Sequence, residues 1–292
     1  MNRTKIEWCA TYLPDGTSRP GFTSNPIKFR DAAGKVVWGC VHASPGCTHC
    51  YAEALAHRYG RGGPFTAPTM AGLTPFVDDA ELRAILRSKA PAGAKVFLGD
   101  MTDIFAPWVT GAMLDQVFAT MALRPDLTFM LLTKRPERMR EYLTGYGPYT
   151  RTKLGITKQV LSMVNTEIRR PTEFELLWPL PNVWLGTSVE NQHWADIRIP
   201  ELLATPAAVR FISAEPLLGP VGLSEVILPD RVIYPLAGEI GRYTHPDGDV
   251  EQHRDTGHIS WVIAGGESGP GARPCDISWL RSIVQQCAAG SG

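Results

Sequence analysis

Short, nearly continuous apolar runs recur along the chain: "AKVFLG" (94–99), "TFMLLT" (128–133), "NVWLGTS" (182–188), "VRFISA" (209–214) and "SWVIAGG" (260–266). They are rich in β-branched and aromatic residues, the signature of strands covered on both faces in a parallel sheet. "KVVWG" (35–39) supplies a sixth candidate strand. Helical patterns lie between them. "DDAELRAILRSK" opens on aspartates suited to N-capping and sets Leu82, Ile85 and Leu86 on one face. "GAMLDQVFATMAL" and "RPERMREYL" follow the next two strands. Strands alternating with helices imply right-handed βαβ units and an α/β protein, a pattern that by itself admits an open sheet or a barrel. Two stretches break the alternation, 145–181 and 223–258. Both read as insertions in a single domain spanning 1–292, the second, with "GRYTHPDGDVEQHRDTGH", as a polar surface excursion.

The 292 residues, 44% of them hydrophobic, suffice for a substantial core. Lysine plus arginine equals aspartate plus glutamate at 29 each. That balance argues against a tight grip on a long duplex, so any nucleic-acid contact is local. The opening "MNRTKIEWCATYLPDG" has neither an apolar h-region nor a small-residue cleavage site, and no apolar run reaches the length of a membrane span. The expected location is the cytoplasm, with no membrane partner.

The residues just past each strand turn the picture from fold to chemistry. Gly99, Asp100, Thr102 and Asp103 come after the second candidate strand, Lys134 and Arg135 after the third, and Ser188, Glu190 and Asn191 after the fourth. Glu215 comes after the fifth, and Gly265, Gly266, Glu267 and Arg273 after the sixth. In parallel β/α folds these ends converge, and ligands bind there. The glycine pair can cradle a carboxylate or phosphate with its backbone N–H groups, or merely turn the chain. Glu190 and Asn191 suit ligand hydroxyls or amines, and equally the first turn of a helix. Glu215, just past an apolar strand, needs a partner, for which Lys134 and Arg135 are the natural candidates. Glu215 and Lys134 are the candidate catalytic pair.

Three of the six cysteines crowd into "GCVHASPGCTHCYAE". Cys47 and Cys50 share one turn, where both sulfurs reach a single zinc ion or an iron–sulfur cluster. With Cys40 and either His42 or His49 they would complete a Cys3His zinc site. Cys9, Cys275 and Cys287 are isolated and read as small buried hydrophobes. A zinc knuckle has no need of a β/α frame with polar loops at every strand end. The frame and the cysteines together favour an iron–sulfur enzyme, with a zinc-binding, nucleic-acid-associated module as the alternative.

The cysteine block, the upstream "KIEW", and downstream "LTKRPER", "NVWLGTSVEN", "FISAEPLLGP" and "WVIAGGESGPGARP" together resemble the phage-type three-cysteine-motif family, a divergent relative of the radical S-adenosylmethionine (SAM) superfamily. The resemblance implies a partial (β/α) barrel of about six mostly parallel strands. It implies that Cys40, Cys47 and Cys50 hold a four-iron four-sulfur cluster whose fourth iron is open to SAM, and that an external electron donor drives cleavage to a 5′-deoxyadenosyl radical. Gly99, Asp100, Ser188, Glu190, Asn191, Gly265, Gly266 and Glu267 are then the cofactor-binding candidates. Spacing departs from the superfamily's usual signature: six residues separate Cys40 from Cys47, and His49 stands where an aromatic residue is common. Family members usually continue past the segment like "WLRSIVQQCAAG" into one more strand, so an exposed last edge is expected here. The phage association points to a nucleobase, nucleoside or single-stranded nucleic acid as substrate, in the host cytoplasm if the gene is phage-borne.

Overall fold

The computed structural model describes residues 1–145, 153–167, 176–229, 231–243, 250–254 and 257–290. The chain begins with β1 (Asn2–Arg3), a small hairpin of β2 (Thr11–Tyr12) and β3 (Ser18–Arg19), and β4 (Phe22–Ser24). Next come β5 (Ile27–Arg30), β6 (Val36–Val37), the cysteine segment, α1 (Tyr51–Arg58), α2 (Ala67–Ala71), β7 (Thr74–Val77) and α3 (Asp79–Leu86). The alternation expected from the sequence then runs β8 (Lys95–Leu98), α4 (Gly111–Ala122), β9 (Thr128–Thr133), α5 (Pro136–Thr144), α6 (Lys153–Glu167), β10 (Val183–Ser188), α7 (Gln192–Leu203) and β11 (Val209–Ala214). After β12 (Val226–Leu228), β13 (Arg231–Tyr234), β14 (Glu239–Tyr243) and β15 (Val250–Arg254), the chain closes with β16 (Trp261–Ala264) and α8 (Ile277–Ala289).

The protein is a mixed α/β structure organised on a seven-stranded, mostly parallel sheet of order β1-β4-β8-β9-β10-β11-β16. Only β1 runs antiparallel, against β4. The six parallel strands follow one another in chain order without reversal. Their helices start where the chain supplies a side-chain acceptor: Asp78 accepts from Ala80 N at 2.9 Å before α3, Thr110 from Met113 N at 3.3 Å before α4, and Asp276 from Ser278 N at 2.8 Å before α8. Helix α4 is buried nearly all round, as its almost uninterrupted apolar sequence requires.

Alternation along the strands splits the sheet into two faces. Val96, Leu98, Phe129, Leu131, Val183, Leu185 and Ile212 join the main core. On the opposite face Met130, Phe211 and Ile263 pack with Leu132, Trp184, Trp261 and the N-terminal Trp8. Phe211 fills the space over Gly186, where an added Cβ would meet its ring at 2.5 Å. Lys95, the first residue of β8, lies under this aromatic cluster. Its Nζ donates to the carbonyls of Trp8 (3.3 Å) and Ala10 (3.2 Å) and stands 4.8 Å and 5.6 Å from the ring centroids of Trp261 and Trp184. The amino-terminal half of that face is thereby floored by aromatic rings around one cation.

Two expectations need correction. "KVVWG" is no strand of the parallel sheet: β6 pairs antiparallel with β5 in a separate sheet of order β6-β5-β7. The parallel strand that opens the series is β4, three residues stopped by Asn25-Pro26 and too short to register as an apolar run. The stretch 223–258 is more than a polar excursion, since β12–β15 form a four-stranded antiparallel sheet where a crossover helix would stand. The other insertion contributes α6, which packs on α4 so closely that a Cβ at Gly155 would meet the Asp115 carboxylate at 2.5 Å.

Candidate functional site

The cysteine segment lies between β6 and α1, downstream of the first parallel strand, and crosses the carboxyl edge of the sheet. Its successive parts are tied to four strand-end loops, those after β8, β9, β10 and β16. Thr102, after β8, donates its hydroxyl to Gly39 O at 2.8 Å, and Arg135, after β9, donates Nη2 to Val41 O at 3.1 Å. Ser44 donates its hydroxyl to Glu190 Oε1, after β10, at 2.6 Å. Arg273, past β16, donates Nη2 to Pro45 O at 3.0 Å, and His49 Nδ1 donates to Glu267 Oε2 at 2.8 Å. Tyr51 completes the series by donating to Asp100 O at 2.7 Å. Gly46 lies so close to Glu190 that a Cβ there would meet Oε1 at 2.5 Å, so the close approach of the segment to β10 requires glycine.

All six cysteines are free thiols. Cys40 and Cys50 pack beside Trp38 and Leu55 against Ala52, Ala56, Phe65 and Met101. Burial, reinforced by the Asp103 charge, pushes the Cys40 thiol up to about 11, and burial raises that of Cys50. Cys47 Sγ accepts from Ala43 N at 3.5 Å. Among the described residues, no group of three or more His, Cys, Asp and Glu side chains is drawn together around one point as ligands for a single ion. His42 Nε2 faces Glu53 Oε2 at 2.7 Å, so each of the two histidines has one ring nitrogen on a carboxylate.

Glu190 is the hub of the site and is fully buried. Besides Ser44 it meets Lys134 Nζ at 3.4 Å and Arg198 Nη1 at 3.0 Å, and the same Nη1 donates to Ser188 O at 2.9 Å. Asp103 pairs with Arg135 Nη1 at 3.2 Å and accepts from Thr133 Oγ1 and Lys134 N. Lys134 thus meets Glu190 and Arg135 meets Asp103, and the expected pairing of either with Glu215 is not formed. Glu215 has no hydrogen bond or ion pair among the described residues; its carboxyl rests against Gly265, whose added Cβ would meet Oε1 at 3.0 Å. Although Glu215 reaches solvent, crowding by protein and the negative charge of Glu7 raise its pKa.

Several residues expected to bind cofactor have assigned partners of their own. Asn191 Oδ1 caps α7 by accepting from Trp194 N at 3.2 Å. Glu267 takes a fork from Arg273, Nε at 2.9 Å and Nη2 at 2.5 Å, and those bonds, with His49, hold its carboxyl well below the usual range. Asp100 accepts from Asn25 Nδ2 at 2.5 Å, and burial raises its pKa. Gly99 adopts φ +82°, a turn that only glycine takes without strain. Gly266 makes room for Cys275, whose Cβ lies 3.1 Å from where its own would be. Ser188 is buried on β10 beneath Glu190.

Sequence reasoning missed Ser44, Gly46 and Arg198. Arg198 sits in "DIRIPELL", where an arginine between isoleucines reads as a solvated turn of helix, yet only 1% of it is exposed. Among the described residues its Nε and Nη2 have no hydrogen-bond partner, so a buried cation with open donors stands beside the cysteine segment. Three thiols, a sulfur that already accepts from backbone and an under-satisfied guanidinium fit a negatively charged thiolate-bound group at this edge.

The family model described as "Protein of unknown function (DUF5131)" matches residues 24–291, and the chain belongs to that family. No curated protein and no solved structure matches it.

Proposed function

We propose that this member of the DUF5131 family is a radical SAM enzyme built on a partial (β/α) barrel. The observation that carries the reading is the course of the cysteine segment: it comes after the first parallel strand and is fastened across the carboxyl edge to loops after β8, β9, β10 and β16. Six parallel strands in chain order, without the reversal of a doubly wound sheet, support the barrel. Cys40, Cys47 and Cys50 would hold the cluster. When bound, a four-iron cluster with one open iron supplies the electron that cleaves SAM.

The chain's own residues divide the remaining work. Glu190, Ser44 and Gly46 fix the segment's position, and Glu267 with Arg273 fastens its far end. Glu215 is the acid–base group left for a substrate, its pKa raised by crowding of protein and by the charge of Glu7. The aromatic floor closes the amino-terminal side, so ligands enter from the carboxyl edge. The substrate class that suits a chain of zero net charge is a nucleobase or nucleoside, free or in a short single strand, rather than long duplex. Electrons come from an external donor, and the cytoplasm is the proposed setting; among the described residues no helix is long and apolar enough to cross a membrane.

Anaerobic reconstitution with iron and sulfide tests the reading. Brown iron–sulfur absorption, together with 5′-deoxyadenosine formed from SAM under a strong reductant, is the expected result. Colourless protein holding one zinc would replace the reading with the Cys3His module. Comparing nucleosides from hosts or phages with and without the active gene tests the substrate class; identical profiles would remove nucleic acid from it.

A further inference from the structure

We propose that Arg198 and Lys134 keep one positive charge in excess beneath the cysteine segment, and that the thiolate-bound group on Cys47 is its counter-charge. The inference rests on the iron–sulfur reading and deepens it.

Arg198 and Glu190 are both buried, with side chains 2% and 0% exposed. The guanidinium spends Nη1 on Glu190 and Ser188 O and leaves Nε and Nη2 without acceptors among the described residues. Trp194 covers its flat face at 4.1 Å, which helps the charge but accepts no hydrogen bond. Lys134 reaches the same carboxylate, so one glutamate serves two cations. The neighbouring Arg135 is matched one to one by Asp103.

A buried cation with unmet donors is costly unless a partner completes it in the working state. Cys47 follows the glycine that is packed on the glutamate Arg198 shares. Ser44 and Gly46, on either side of Pro45, press its turn onto Glu190, the carboxylate that Arg198 and Lys134 share. A neutral thiol accepts hydrogen bonds poorly, whereas a metal-bound thiolate carries the charge the pocket lacks. Arg198 is therefore a positioning residue: it acts on the cluster through charge and through Glu190.

The test is the midpoint potential of the reconstituted cluster, titrated by electron paramagnetic resonance, in wild type, Arg198→Met, Glu190→Gln and the double variant. The Lys134, Arg198 and Glu190 group carries one net positive charge in wild type, none in Arg198→Met, two in Glu190→Gln, and one again when both are changed. A nearby cation favours the more negative, reduced cluster. Glu190→Gln is expected highest, wild type and the double variant together, and Arg198→Met lowest by a tenfold change in the one-electron equilibrium, about 59 mV. If Arg198→Met fails to fold, the order of the other three still decides. Equal potentials in loaded proteins, or both single variants moving the same way, overturn the inference and leave the iron–sulfur reading standing. Wild-type protein that takes up no iron overturns both.

Discussion

The two ends of one sheet face solve the same problem with opposite means. At the amino-terminal end Lys95 is sheltered by tryptophan rings and two carbonyls, with no carboxylate partner among the described residues. At the carboxyl-terminal end Lys134 and Arg198 share a buried glutamate, surrounded by groups contributed from four strand-end loops. A cation held by rings and carbonyls makes a closed floor. Cations gathered on one carboxylate leave charge to spare, and that surplus, not polarity as such, separates a site from a core.

The largest expected effect tests this contrast directly. Replacing Cys40, Cys47 or Cys50 with Ala should abolish iron–sulfur absorption after reconstitution, while Cys9→Ala, Cys275→Ala, Cys287→Ala and Lys95→Met retain it. Loss of the cluster in Lys95→Met would show that floor and site are one unit. Next in size is Trp261→Ala, which removes a ring from the floor and should cost about 3 kcal/mol in urea unfolding with cluster loading unchanged. Gly46→Ala sharpens the other side of the comparison. Its Cβ must displace Glu190 or the segment, at about 1–3 kcal/mol, and iron content per chain should fall several-fold. Asn191→Ala should be mildest, about 1 kcal/mol of stability for a lost helix cap, with SAM affinity by calorimetry unaltered.

The sequence made the main frame legible because buried parallel strands are nearly continuous apolar runs: β9 and β11 lie where "TFMLLT" and "VRFISA" predict them. It hid β4, whose three residues carry no periodicity, and it misassigned β6, since two valines look alike in either kind of ladder. At the site, the strand-end residues were readable as a group but their partners were not. On paper Lys134 reads as a mate for Glu215; it meets instead the buried Glu190, which Ser44 also reaches. Arg198 was invisible because helical periodicity does not say which arginine lies against a buried glutamate.

The anchors of the cysteine segment also set a timetable during synthesis. Ser44 waits for Glu190, 146 residues later, His49 for Glu267, 218 later, and Pro45 for Arg273, 228 later. At ribosomal rates of about 5–20 residues per second, the thiols emerge about seven seconds or more before Glu190 exists to fasten their segment. A nascent chain therefore passes through an interval in which Cys40, Cys47 and Cys50 are unprotected nucleophiles, and overexpression in aerated cells should favour oxidised, poorly loadable protein over misfolded sheet.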